Sequence, residues 1–220
     1  MILLLSYRPW WLPGFDLPVS AAVAACIVLV AAASLVDLRL GAAVAFLALA
    51  AASILVPPEF HLWGDGALRL RNLQAGMGIL SAAPLEPGDY LVRRLLLGLG
   101  LSARQSFQAT GLAGGAAYLA GLLLILDRPR GGFAQACRMA LGVSPTLVVF
   151  FTGYVESYAL VAGLMALCAG LMATGSRPSA ILLCAAAATC THLLGLVLLP
   201  GVAASLAVHK HRLWAAAAVA

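Results

Sequence analysis

Apolar runs, each near the roughly 20 residues that a membrane-crossing helix needs, cover most of the chain, and one polar stretch from Pro57 to Gln105 interrupts them. The runs are apolar on every side and do not alternate with polar residues, a pattern of buried helices and not of barrel strands. The first predicted helix runs from Val19 to Val36 behind Pro18, and Asp37-Leu-Arg39-Leu-Gly41 forms a polar turn. A second helix from Ala42 to Val56 is stopped by Pro57-Pro58. Pro9-Trp10-Trp11-Leu12-Pro13 has the residues of an interfacial segment.

The polar stretch has its own pattern. Gly64-Asp65-Gly66 is turn chemistry, and Ala67 to Gln74 reads as a short helix that Asp65 or Gly66 can cap. Tyr90 to Leu101 is apolar except for Arg93 and Arg94, which suits a helix lying in a membrane interface. A third long helix is predicted from Phe107 to Leu126, with Gly111-x-x-x-Gly115 as a packing face. Asp127 to Arg138 reads as a basic loop, Met139 to about Gly153 as a short helix kinked at Ser144-Pro145, and Tyr158 to about Thr174 as another helix. Ser179 to Val208 is either one overlong span or two short ones hinged at Thr189-Cys190-Thr191-His192.

Composition fixes the class. Of 220 residues, 63% are hydrophobic and only 10% charged, with a mean hydropathy of +1.02, whereas in soluble domains about a quarter of residues are charged. The expectation is an all-α integral membrane protein, a polytopic bundle of about seven short transmembrane helices in a single module spanning residues 1–220. The loop 57–105 is then an outer loop carrying interfacial helices. The last residues, from Leu213, open a further apolar run too short to cross a bilayer, so the chain reads as the N-terminal part of a longer protein. Met1 to Leu5 lacks the basic start of a signal peptide. The five cysteines form no C-x-x-C pair and read as small buried hydrophobes.

Charge orients the bundle. With the long loop outside and Ser179 to Val208 taken as a hairpin, every short inside turn is basic (Arg39; Arg128, Arg130 and Arg138; Arg177; Lys210 and Arg212). The basic residues thus mark helix ends, and the net charge of +5 does not point to nucleic acid. Five arginines remain in the long loop and call for another explanation. In this topology Asp65, Glu156 and His192 share the outer side, and ionisable groups beside a bilayer are functional candidates.

Three segments in this order resemble the type C membrane glycosyltransferases, which include the protein O-mannosyltransferases and the lipid A aminoarabinose transferases. They are Trp63-Gly64-Asp65-Gly66-Ala67 followed by the helix at Tyr90, Gly153-Tyr154-Val155-Glu156-Ser157-Tyr158, and Thr191-His192-Leu-Leu-Gly195 to Leu199-Pro200. His192 stands where many members have lysine, and two helices precede the loop where the family's core needs one.

The resemblance implies transfer of a sugar from a polyprenyl-phosphate donor to an acceptor on the outer face of a bacterial inner (plasma) membrane. Asp65 is then the catalytic candidate, as general base or as holder of a divalent cation. Glu156, His192, Arg93 and Arg94 are the substrate-binding candidates, the cationic ones meeting the lipid phosphate as its charge grows. The partners implied are the lipid-linked donor and membrane lipids. Each residue also has a plainer reading: Asp65 as a helix cap, Glu156 as a solvated loop residue, His192 as a hydrogen-bonded structural histidine, and the arginines as headgroup anchors. His61 near Glu59 is too little for a metal site. The alternative functions are a polytopic membrane transporter and a non-catalytic membrane scaffold.

Overall fold

The computed structural model describes residues 17–55, 66–126, 132–143 and 158–208. Among these every regular element is helical. Helices α1 (Leu17–Val36) and α2 (Leu38–Leu55) form a tight hairpin. The turn is shorter than the sequence suggests because Asp37 alone makes it. Its Oδ1 accepts from the amides of Arg39 (2.6 Å) and Leu40 (3.3 Å), which starts α2 at once. Gly41 lets the two helices meet, since a Cβ there would overlap the Ser34 hydroxyl.

Three short helices follow: α3 (Gly66–Gln74), α4 (Ile79–Ala82) and α5 (Pro87–Gly98). Helix α5 starts three residues earlier than Tyr90 because Pro87 occupies its first turn, where a missing N–H costs nothing. Helix α6 (Ala103–Leu126) also starts earlier than Phe107. Ser102 Oγ accepts from the Gln105 amide (3.2 Å) while Gln105 Oε1 accepts from the Ser102 amide (2.8 Å), a reciprocal capping box that fixes the start.

Helix α6 organises the bundle. Gln108 Nε2 donates to the Ser53 carbonyl (2.7 Å), so α2 ends beside the start of α6 and runs antiparallel to it. Helix α8 (Tyr158–Ala173) makes the most extensive contact with α6. Gly114 faces Ala159 and Gly163, while Gly121 faces Ala166 and Gly170. A Cβ at any of these four glycines would overlap the opposite backbone, and the matching order of contacts makes the helices parallel. Gly111 and Gly115 are buried on α6 as well, but these backbone contacts belong to Gly114 and Gly121.

Helix α7 (Phe133–Gly142) begins inside the segment expected to be a basic loop. Gln135 Nε2 donates to the Leu126 carbonyl (2.6 Å) and Met139 is fully buried, so tertiary packing extends the helix through this stretch. The remainder of the helix expected to reach Gly153, with Ser144-Pro145, lies outside the described residues.

Helix α9 (Pro178–Thr191) runs antiparallel to α8: Cys184 Sγ approaches the Leu164 carbonyl (3.4 Å) and Cys168 Sγ that of Ile181 (3.8 Å). At His192 the backbone becomes extended (φ −155°, ψ 138°), and a 3₁₀ turn (Leu193–Leu198) leads into α10 (Leu199–Val208). Val202 and Leu206 of α10 pack back on Ile181, Cys184 and Ala185. The long apolar stretch is therefore a hairpin hinged at His192, with Pro200 in the first turn of α10, where it is harmless. Helix α6, 24 residues long, is the one helix among the described residues long and apolar enough to cross a membrane, and the other apolar helices are shorter.

Candidate functional site at the capped end of the bundle

The end of α2, the helices α3 to α5, the start of α6, the start of α8 and the His192 hinge all lie at one end of the bundle. Helix α3 closes with Gly76 at φ 67°, the Gly76 amide donating to the Leu73 carbonyl and that of Met77 to Asn72. The Tyr90 hydroxyl then donates to the Met77 carbonyl (2.7 Å), seating α5 on this turn. The segment before α5 is clipped to the hinge: the Leu193 amide donates to the Leu85 carbonyl (2.9 Å), and a Cβ on Gly88 would overlap the Cys190 carbonyl.

A buried cluster of ionisable groups fills the junction. Glu86, at the N-cap of α5, pairs with Arg69 of α3, and its Oε2 lies 3.6 Å from His192 Nε2. That second separation is too long for a hydrogen bond and is an electrostatic contact. One turn along α5, Asp89 Oδ2 pairs with Arg93 Nη2 at 2.7 Å. The Arg93 guanidinium also lies 3.6 Å over the Phe107 ring, and its Nε donates to Thr110 Oγ1 (3.3 Å). Asp89 is 1% exposed, Arg93 4% and Glu86 5%.

The environment sets the protonation states. Burial raises the Asp89 pKa from 3.8 to about 6, against the opposing pull of Arg93 and Arg69. His192 Nδ1 accepts from the Leu194 amide (2.9 Å), so its proton resides on Nε2, facing Glu86. Burial, then the neighbouring Arg69 charge, hold His192 below its usual pKa. The cavity among Arg69, Glu86, Asp89, Arg93 and Phe107 has about 10 Å³, room for about one water molecule and none for a sugar.

Of the residues the sequence singles out, Arg93, Arg94 and His192 are described, and Asp65, Glu156, Glu59 and His61 lie outside the described residues. Arg93 points inward and is engaged by Asp89, whereas Arg94, one residue on, is exposed with its guanidinium beside the Gly76 turn. His192 lies in the hinge with its ring 5.2 Å from that of Tyr158. Sequence reasoning misses Arg69, Glu86 and Asp89. The signal for Glu86 and Asp89 is Glu86-Pro87-x-Asp89, acidic residues at the N-cap position and in the first turn of an amphipathic helix.

Among the described residues no three His, Cys, Asp or Glu side chains gather to hold a metal ion. Glu86 and Asp89 already face arginines, so this donor set does not fit a divalent cation. Comparison with protein-family models, with curated proteins and with solved structures returns no match.

Proposed function

We propose that the chain is a polytopic membrane protein of about seven crossings that transfers a sugar from a polyprenyl-phosphate donor to an acceptor at the capped end of the bundle, on the outer face of the membrane. The membrane reading is supported by an inside-out distribution of side chains. Val36 and Ile54 are 80% exposed and Leu183 73%, while Asp89, Arg93, Glu86, Gln135 and His192 are buried. Water would favour the reverse, and lipid favours this one. Helix α5 repeats the pattern on a small scale, with Asp89 and Arg93 inward and Leu91 and Leu95 outward.

The observation that carries the transferase reading is the convergence at His192. It touches Tyr158, which follows the Glu156 segment, and it faces Glu86, which is held by Arg69 four residues after Asp65. Described residues that border or belong to the three segments of the family resemblance, Arg69, Tyr158 and His192, thus lie at one end of the bundle.

In this mechanism the Asp65 carboxylate takes the proton of the acceptor hydroxyl as its oxygen attacks the anomeric carbon. The bond from that carbon to the phosphate oxygen breaks, and the carrier leaves as a lipid phosphate. Arg94, exposed on α5, meets that phosphate, while the buried His192, its Nε2–H facing Glu86, holds the hinge beside α5. Arg93 positions α5 through Asp89 and Phe107.

The test uses the full-length protein in lipid nanodiscs with polyprenyl-phosphate mannose and polyprenyl-phosphate glucose as probes. Release of polyprenyl phosphate with sugar on an acceptor supports the reading. Solute flux into proteoliposomes that lack any lipid-linked sugar, with no such release, favours a transporter instead.

A further inference from the structure

Glu86 and Asp89 are three residues apart at the start of α5 and therefore share one face of the first turn. Each uses one oxygen on an arginine, Glu86 Oε1 on Arg69 and Asp89 Oδ2 on Arg93. The other oxygen of each, Glu86 Oε2 and Asp89 Oδ1, is buried and has no hydrogen-bond partner among the described residues. Both residues line the same small cavity. A buried carboxylate oxygen without a donor is costly, and two of them in one turn also repel.

Among the described residues the surrounding groups favour a carboxyl oxygen for an added proton. Helix α3 contributes Arg69 and α5 contributes Arg93, while α6 presents the uncharged Phe107 and Thr110. The hinge contributes His192, with the neutral Tyr158 of α8 on its ring. Among the described residues two carboxylates face two guanidinium ions. Protonating His192 at Nδ1 would break its bond from the Leu194 amide. A proton on a carboxyl oxygen instead supplies the missing donor and relieves the repulsion.

We propose that Glu86 and Asp89 form a single buried proton-binding site that takes up one proton as the medium passes from neutral to mildly acidic, and that this uptake holds α5 more firmly against α6 and the His192 hinge. The step is simple protonation: a proton from bulk water adds to Asp89, and the Asp89–Arg93 ion pair becomes a neutral–cation contact. The raised pKa of Asp89, about 6, agrees with the assignment. Because the packed site binds this proton more tightly than a carboxyl in water does, uptake favours the packed state and loss of the proton at higher pH weakens it. That this firmer seating of α5 regulates sugar transfer rests on the function proposed above; the proton site itself does not.

The experiment is infrared difference spectroscopy of the full-length protein in nanodiscs, with no sugar donor present, as the buffer is taken from about pH 7.5 to about pH 5. The wild type should gain a protonated-carboxyl C=O band with a midpoint near 6. The band should be absent in Asp89→Asn. In Glu86→Gln it should persist with its midpoint lowered by about one unit, since a neighbouring like charge is gone. A wild type with no such band, a band intact in D89N, or an unmoved midpoint in E86Q would overturn the proposal. Because no donor is used, these results stand apart from the outcome of the transfer assay.

Discussion

The ring of Tyr158 lies 5.2 Å from the imidazole of His192, tilted by 40°, and joins the first residue of α8 to the hinge between α9 and its returning strand of helix. The same imidazole accepts the Leu194 amide through Nδ1, so it caps the turn that follows. His192→Ala should cost about 1 kcal/mol of stability by leaving that amide without its partner. His192→Asn, whose side-chain oxygen can take the place of Nδ1, should recover most of the loss. Thermal unfolding of the two variants in detergent checks this, and equal losses would deny the capping role.

Close contact between α6 and α8 depends on glycine. Gly114→Ala or Gly163→Ala places a methyl group on the opposite backbone and should cost about 1–3 kcal/mol. Gly201→Ala, within α10 and with open space around it, should be neutral or should stabilise by up to about 1 kcal/mol. Melting temperatures of the three variants, measured side by side, should separate accordingly.

Asp89 and His192 push the pH dependence of stability in opposite directions. The Asp89 pKa is raised on folding, so its contribution is full below 3.8 and is lost as pH rises through about 6, on the order of 3 kcal/mol at most. The His192 pKa is lowered, so its contribution is present above 6.5 and is lost as pH falls. The wild type minus D89N stability difference should therefore decline from pH 4 to 6. Chemical denaturation of both proteins across that range reads it directly, and a difference that grows with pH would reverse the assignment.

Leu183 is 73% exposed on α9. On a protein surrounded by water, Leu183→Lys would change stability by no more than about 0.5 kcal/mol. Facing lipid near the middle of a helix it should cost about 3 kcal/mol of insertion free energy, and accumulation in the membrane fraction should fall. Unchanged accumulation and unfolding would count against a lipid-facing α9.

Much of the fold is legible in the sequence because apolar run length and its punctuation are local signals. Asp37, Pro87 and Pro178 mark helix starts, and Gly175 closes a turn. Elements shift where a partner distant in sequence intervenes: α7 begins early because Gln135 reaches Leu126 and Met139 finds a core. The hinge at His192 is readable as one of two alternatives, and only the packing of Val202 and Leu206 on Ile181 and Cys184 selects the hairpin. The site is less legible. Arg93 and Arg94 look alike in sequence, yet a turn of about 100° between neighbours on a helix sends one inward to Asp89 and leaves the other exposed. Glu86 reads as a loop residue until the hinge, more than a hundred residues later, folds against it.

The most direct test is transfer from polyprenyl-phosphate sugar by the full-length protein carrying Asp65→Asn, reconstituted in nanodiscs at wild-type levels. The account predicts that release of polyprenyl phosphate falls by about 100-fold or more, the scale of losing a general base, while the variant inserts and melts as the wild type does. Transfer at the wild-type rate would contradict it.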